Sequence, residues 1–213
     1  MASTRYTVRK RAEDVIQGLQ RAFPDSECSL DFEAPERLAI RGILSAQCTD
    51  KRVNITSAEL FERFPAMEDL AKADPGEVAE IIKPCGLTKS KTASIMDFAS
   101  RFCGTWGNII PNDVDILMEC RGVGRKIANL IVGEIYGTPA IVVDTHCKRV
   151  MYRIGLTDNT DPNKVEEDLC RVIPDEYKIS LGHMAVDLGR TYCKASSPLC
   201  DECPLNFCCK KRL

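Results

Sequence analysis

No stretch of this chain approaches the roughly 18–20 consecutive apolar residues that a bilayer-spanning helix needs, so no membrane is expected among its partners. Strand-like alternation is missing, as are internal repeats and low-complexity segments. Sandwich, barrel and solenoid architectures are thereby set aside. Neither sign of charge is in surplus: 29 Lys and Arg against 31 Asp and Glu leave a net −2. That balance argues against a protein that coats nucleic acid by bulk charge. Aromatic residues make up only 6% of the chain, with one tryptophan, Trp106, read as a packing anchor rather than a stacking platform. No apolar run follows Met1-Ala2-Ser3-Thr4-Arg5 to suggest a signal peptide, and a cytoplasmic location is expected.

What is present is helical pattern, enough for one large domain or two small ones. Val8, Ala12, Val15, Ile16, Leu19 and Phe23 fall at helical spacing before Pro24. Further helices are expected at about 36–46, from a cap at Asp50 to near Pro65, at 67–73, from Pro75 to Ile82, and at 90–102. The pattern continues at 113–120, 125–135, 145–155, 161–172 and 176–192. Ile141-Val142-Val143 is too short for a strand and reads as an extended buried linker. The fold class expected is all-α.

The chain holds twelve cysteines. Cys28, Cys48, Cys85, Cys103, Cys120, Cys147 and Cys170 are scattered singly, which suits free thiols acting as small hydrophobes in a reducing compartment. Cys193, Cys200, Cys203 and Cys209 are different, with the spacing C-x6-C-x2-C-x5-C. Four thiolates within seventeen residues can wrap one metal centre and supply folding energy that so short a tail lacks. Zinc and an iron–sulfur cluster both suit such ligands.

Arg121-Gly122-Val123-Gly124-Arg125-Lys126 joins two predicted helices. The glycines permit a tight turn and close approach of the backbone to a ligand. The turn feeds a helix N-terminus, where unpaired N–H groups favour an anion such as a DNA phosphate. Lys126 lies in the first turn, where the helix dipole and neighbouring Arg125 both favour the neutral, nucleophilic amine. Eighteen residues on comes Asp144-Thr145-His146. Asp144 precedes a helix and can cap it while leaving one oxygen for chemistry. Lys148, Arg149 and Arg153 follow it, and Lys210, Lys211 and Arg212 lie near the other end of the numbering.

These residues, together with Leu44-Ser45-Ala46-Gln47-Cys48-Thr49-Asp50, Gly86-Leu87 and the four spaced cysteines, resemble the endonuclease III family of DNA base-excision glycosylases. The resemblance covers most of the chain. It implies a bifunctional glycosylase and abasic-site lyase acting on oxidised pyrimidines in double-stranded DNA. By it, Lys126 attacks C1′ of a flipped nucleotide and forms a Schiff base, Asp144 assists, and β-elimination cuts the strand. Gln47 fills the gap left by the flipped base and Leu87 wedges into the opposite strand. Gly122, Val123, Gly124 and Arg125 clamp the DNA backbone, with His146 and Lys148 as further DNA contacts. The four cysteines hold a 4Fe–4S cluster, with Cys208 an extra thiol beside them. Read from the residues alone, Gln47 is rather a helix-end glutamine and Leu87 a core leucine.

Two features depart from the family pattern. Arg121 stands where the family commonly has proline, which loosens the turn and adds a charge. The loop 194–199 offers only Lys194 where better-known members are basic, so binding is expected to rest on the hairpin with Lys148 and Arg149. The resemblance implies two lobes: a helical barrel at 28–137 containing the hairpin, and a cluster domain built from 1–27 and 138–213. Lys126 and Asp144 are expected at their junction, in a monomer. A monofunctional mismatch glycosylase has no use for Lys126 as nucleophile, and a non-enzymatic iron–sulfur DNA-binding or redox protein has none for Lys126 paired with Asp144.

Overall fold

The computed structural model describes residues 7–213; the reading of Met1 to Arg5 lies outside them. Among the described residues all regular structure is helical, as expected, and there is no strand. None of these helices is long and apolar enough to cross a membrane. In chain order they are α1 (Val8–Ala22), α2 (Pro35–Leu44), α3 (Asp50–Arg63), α4 (Met67–Ala71), α5 (Pro75–Ile82) and α6 (Thr88–Cys103). Then come α7 (Val114–Met118), α8 (Arg125–Tyr136), α9 (Thr145–Ile154), α10 (Pro162–Cys170) and α11 (Lys178–Thr191), with 3-10 turns at Lys83–Cys85 and Asp175–Tyr177. The chain divides into two compact units. One is Cys28–Thr138; the other joins the opening segment through Glu27 to Pro139–Leu213.

Short polar side chains set the helix starts. Asp74 accepts the Glu77 amide ahead of Pro75, and Asp113 accepts the amides of Asp115 and Ile116. Asp161 does the same for Asn163 and Lys164 ahead of Pro162. Each satisfies donors that a helix leaves unpaired, and proline at the first position loses no bond there. The expected Asp50 cap is not found. Thr49 holds the cap position of α3 without a side-chain bond, and the Asp50 carboxylate instead accepts the Ser29 hydroxyl at 2.6 Å.

The unit Cys28–Thr138 is built on α2, which is buried continuously from Leu38 to Leu44. It packs on α3, α6 and α8, so every face meets a neighbour. Its Arg41 is buried with each guanidinium nitrogen engaged: Nε donates to Ser57 Oγ at 2.9 Å, Nη1 to the Asp31 carbonyl at 2.7 Å, and Nη2 to Glu33 at 3.0 Å. Trp106 packs edge-on against Phe98 of α6, with ring centroids 5.5 Å apart, the anchoring role its sequence context suggests.

In the other unit, Ala12, Val15, Ile16 and Leu19 of α1 form one buried stripe in a core shared with α9 and α11. Val15, Ile16 and Leu19 each contribute about 1.5–3 kcal/mol by leaving water. Ile141 and Val143 enter the same core from an extended segment, and Leu205 and Cys208 enter it from the cysteine tail. Of the seven scattered cysteines, Cys85, Cys120 and Cys147 are buried as expected. Cys28, Cys48 and Cys103 are only partly covered and Cys170 is exposed; the first two lie between helices and the others end α6 and α10, where helical spacing does not fix burial.

Candidate functional site

The helix–hairpin–helix of the sequence is present: α7, the turn Glu119–Gly124, and α8. Val123 is buried and roots the turn in the core. Gly122 has φ +75°, and a Cβ there would fall 2.3 Å from Ser94 Oγ on α6. Conformation and packing both exclude a side chain. Gly124 is another case. It caps α8 in extended geometry (φ −90°), and a Cβ added to it would meet nothing within 4 Å. No protein packing demands glycine at 124, and its exposed backbone lies open at the start of α8. Arg125 and Lys126 are the first two residues of that helix, and both are exposed.

Asp144 is the N-cap of α9. Its Oδ1 accepts the Cys147 amide at 2.7 Å, so one carboxylate oxygen is occupied by the fold. His146 Nδ1 lies 3.2 Å from Arg149 Nη2. The Arg149 guanidinium also donates to the carbonyls of Cys193 (3.0 Å) and Gly189 (3.0 Å). One turn on, Arg153 donates to the carbonyls of Lys194 (2.6 Å) and Ala195 (2.9 Å). These two arginines fasten the start of the cysteine loop to α9. Two nitrogens of Arg149, Nε and Nη2, are thereby held by backbone carbonyls of the fold. Arg212 is likewise committed, to the Thr157 carbonyl and to Asp158.

Gln47 and Leu87 share a feature that sequence pattern did not show. Both are exposed, and both have positive φ, +53° and +48°. The left-handed region is uncommon for residues with a Cβ and costs about 1–3 kcal/mol when imposed. Leu87 is 51% exposed, so the core-leucine reading is overturned, and Gln47 lies beyond the end of α2. The turn before Leu87 is held from below by Lys91, a buried lysine whose Nζ donates to the Cys85 carbonyl at 2.8 Å. Burial lowers the pKa of this ammonium, opposed by the Cys85 and Cys48 thiols nearby.

Cys193, Cys200, Cys203 and Cys209 line one hollow whose walls include Ile154, Leu188 and Leu205. Cys208 does not line it; its thiol is buried and donates to the Leu205 carbonyl at 3.5 Å. Among the described residues, no group of three His, Cys, Asp or Glu side chains converges as a ready metal-ion ligand set. The donor chemistry nevertheless fits a thiolate-bound centre. Burial and the neighbouring thiols together push the Cys203 and Cys209 thiols up, against the backbone amides of Leu205 and Lys211 that pull them down. A positive centre among them reverses that penalty.

Comparison with known proteins gives the same reading. The description HhH-GPD superfamily base excision DNA repair protein matches residues 40–175, spanning the hairpin and the Asp144 cap. Endonuclease III of Bacillus subtilis is 37% identical over 203 residues, 95% of this chain and 93% of its own. Endonuclease III of Synechocystis sp. is 36% identical over 202 residues, 94% and 92%. Among solved structures, a trapped covalent intermediate of endonuclease III with DNA superposes with a TM-score of 0.90 at 35% identity, over 95% of this chain and 96% of that one. Fold and site thus define a base-excision DNA repair protein of the helix–hairpin–helix superfamily. The chain belongs to the endonuclease III family, and it is a DNA glycosylase and abasic-site lyase.

Proposed function

We propose that this chain excises oxidised pyrimidines from duplex DNA and cuts the resulting abasic strand, with Lys126 as nucleophile and Asp144 as its assistant. The observation that carries the assignment is the setting of Lys126: an exposed amine in the first turn of α8, one residue past Arg125 and directly after a glycine turn with an open backbone. The turn grips a phosphate through its amides, which fixes the amine relative to the sugar. The Lys126 lone pair attacks C1′, the N-glycosidic bond breaks, and the base leaves. Ring opening gives an imine that acidifies the C2′ proton. Loss of that proton expels the 3′ phosphate and cuts the strand. Asp144 contributes negative charge against the developing cation on the sugar.

Gln47 and Leu87 enter the duplex at the extruded nucleotide. Both stand exposed at positive φ, Gln47 between α2 and α3 and Leu87 directly before α6, and so present their side chains outward, as a wedge requires. Arg125, Lys148 and His146 add contacts near the phosphates. Cys193, Cys200, Cys203 and Cys209 hold a 4Fe–4S cluster, which when bound orders the tail through thiolate ligation. The enzyme works in the cytoplasm, with the nucleoid in a prokaryotic host. The test is a panel of duplexes, each bearing one damaged base. Excision and scission are expected for oxidised pyrimidines, and absence of both across the panel would overturn the substrate assignment.

A further inference from the structure

Asp97 lies on α6, far in sequence from the hairpin, yet one of its oxygens serves that hairpin almost entirely. Oδ2 accepts the Arg121 backbone N–H at 2.9 Å and the Cys120 thiol at 3.3 Å. Arg101, one turn further along α6, donates to the same oxygen at 3.2 Å and stands 3.8 Å from Glu119. Three consecutive hairpin residues, 119 to 121, are thus tied to one helix. The next residue, Gly122, packs on Ser94 of that helix. Burial alone would raise the Asp97 carboxyl; the Arg121 amide, the Cys120 thiol and Arg101 hold it below its ordinary value. It remains an anion, the strongest form of acceptor for the Arg121 amide. Burial, reinforced by Asp97, pushes the Cys120 thiol up to about 12, so the thiol remains a donor.

Arg121 is the residue just before the glycine turn, where a free N–H would leave the turn loose. We propose that Asp97 is a positioning residue for DNA binding: by capturing the Arg121 amide it fixes the arm that aims the Gly122–Lys126 backbone at a phosphate. Without that capture the loop must be ordered at the moment of binding, and the ordering cost appears as lost affinity. The proposal rests on the hairpin being the phosphate-binding element.

The experiment measures affinity of the holoprotein for a duplex carrying a tetrahydrofuran abasic analogue, alongside the single-turnover rate at saturating abasic DNA. Asp97→Ala is expected to bind roughly tenfold more weakly with the saturated rate retained. Asp97→Asn keeps an acceptor for the amide and is expected to stay within about threefold of the parent. In an Arg121→Pro background, which has no amide N–H to capture, adding Asp97→Ala should cost little further affinity. Should Asp97→Ala fail to fold, Asp97→Ser, whose hydroxyl is too short to reach the amide, takes its place. Parent-like affinity in Asp97→Ala, an equal loss in the Arg121→Pro background, or Asp97→Asn as weak as Asp97→Ala would overturn the proposal. Failure of the parent itself to bind the analogue would instead overturn the hairpin reading beneath it.

Discussion

The carboxylate of Asp144 closes the first turn of α9 by accepting the Cys147 amide at 2.7 Å. A residue proposed for chemistry is therefore also part of the fold, and the two roles separate by substitution. Asparagine caps helices about as well as aspartate, whereas alanine loses about 1 kcal/mol. Asp144→Asn is expected to melt near the parent temperature and Asp144→Ala measurably lower. Both should lose imine formation on abasic DNA by at least tenfold, since neither carries the charge. A rate in Asp144→Asn equal to the parent, measured by single-turnover kinetics, would confine Asp144 to the cap.

The two hairpin glycines predict opposite outcomes. Gly122→Ala places a methyl against Ser94 at positive φ, and a loss of about 1–3 kcal/mol in denaturant unfolding is expected. Gly124→Ala meets open space at an ordinary φ and should leave stability unchanged within about 0.5 kcal/mol. Its effect should fall on DNA affinity, because the methyl stands where a phosphate approaches. An affinity unaffected by Gly124→Ala would move the phosphate contact elsewhere.

Cys120 gives a pH dependence with a definite sign. Its thiol is pushed up to about 12 from an ordinary value of 9.0, by burial and then by Asp97. The unfolded chain releases this proton first, so the stabilisation is whole below pH 9 and is lost progressively as pH rises towards 12. Denaturant unfolding across that window should show a steeper alkaline decline in the parent than in Cys120→Ala. Equal slopes would remove Cys120 from the account.

Local chemistry made much of this molecule legible in advance. The 3.6-residue stripe of α1, its stop before Pro24 and the start of a helix at Pro75 are short-range signals, and the helices they predict are present. The hairpin glycines and the buried Ile141–Val143 segment were legible for the same reason. What escaped is what depends on partners distant in sequence. Asp97 looks like any acid on a helix until Arg121 is folded against it. That Arg149 holds the carbonyls of Gly189 and Cys193 is equally invisible until α9 and α11 are packed together. Thr49 and Asp50 are both good caps by residue type, and the bond from the distant Ser29 hydroxyl to Asp50 is not visible in the sequence. The positive φ at Gln47 and Leu87 runs against residue preference, so no propensity could announce it.

The most direct test of the account is borohydride trapping of the holoprotein on abasic duplex, followed by mapping of the cross-linked peptide. The expected adduct lies on Lys126, and Lys126→Ala should form none while still binding the duplex. An adduct on another residue, or undiminished trapping in Lys126→Ala, would contradict the account.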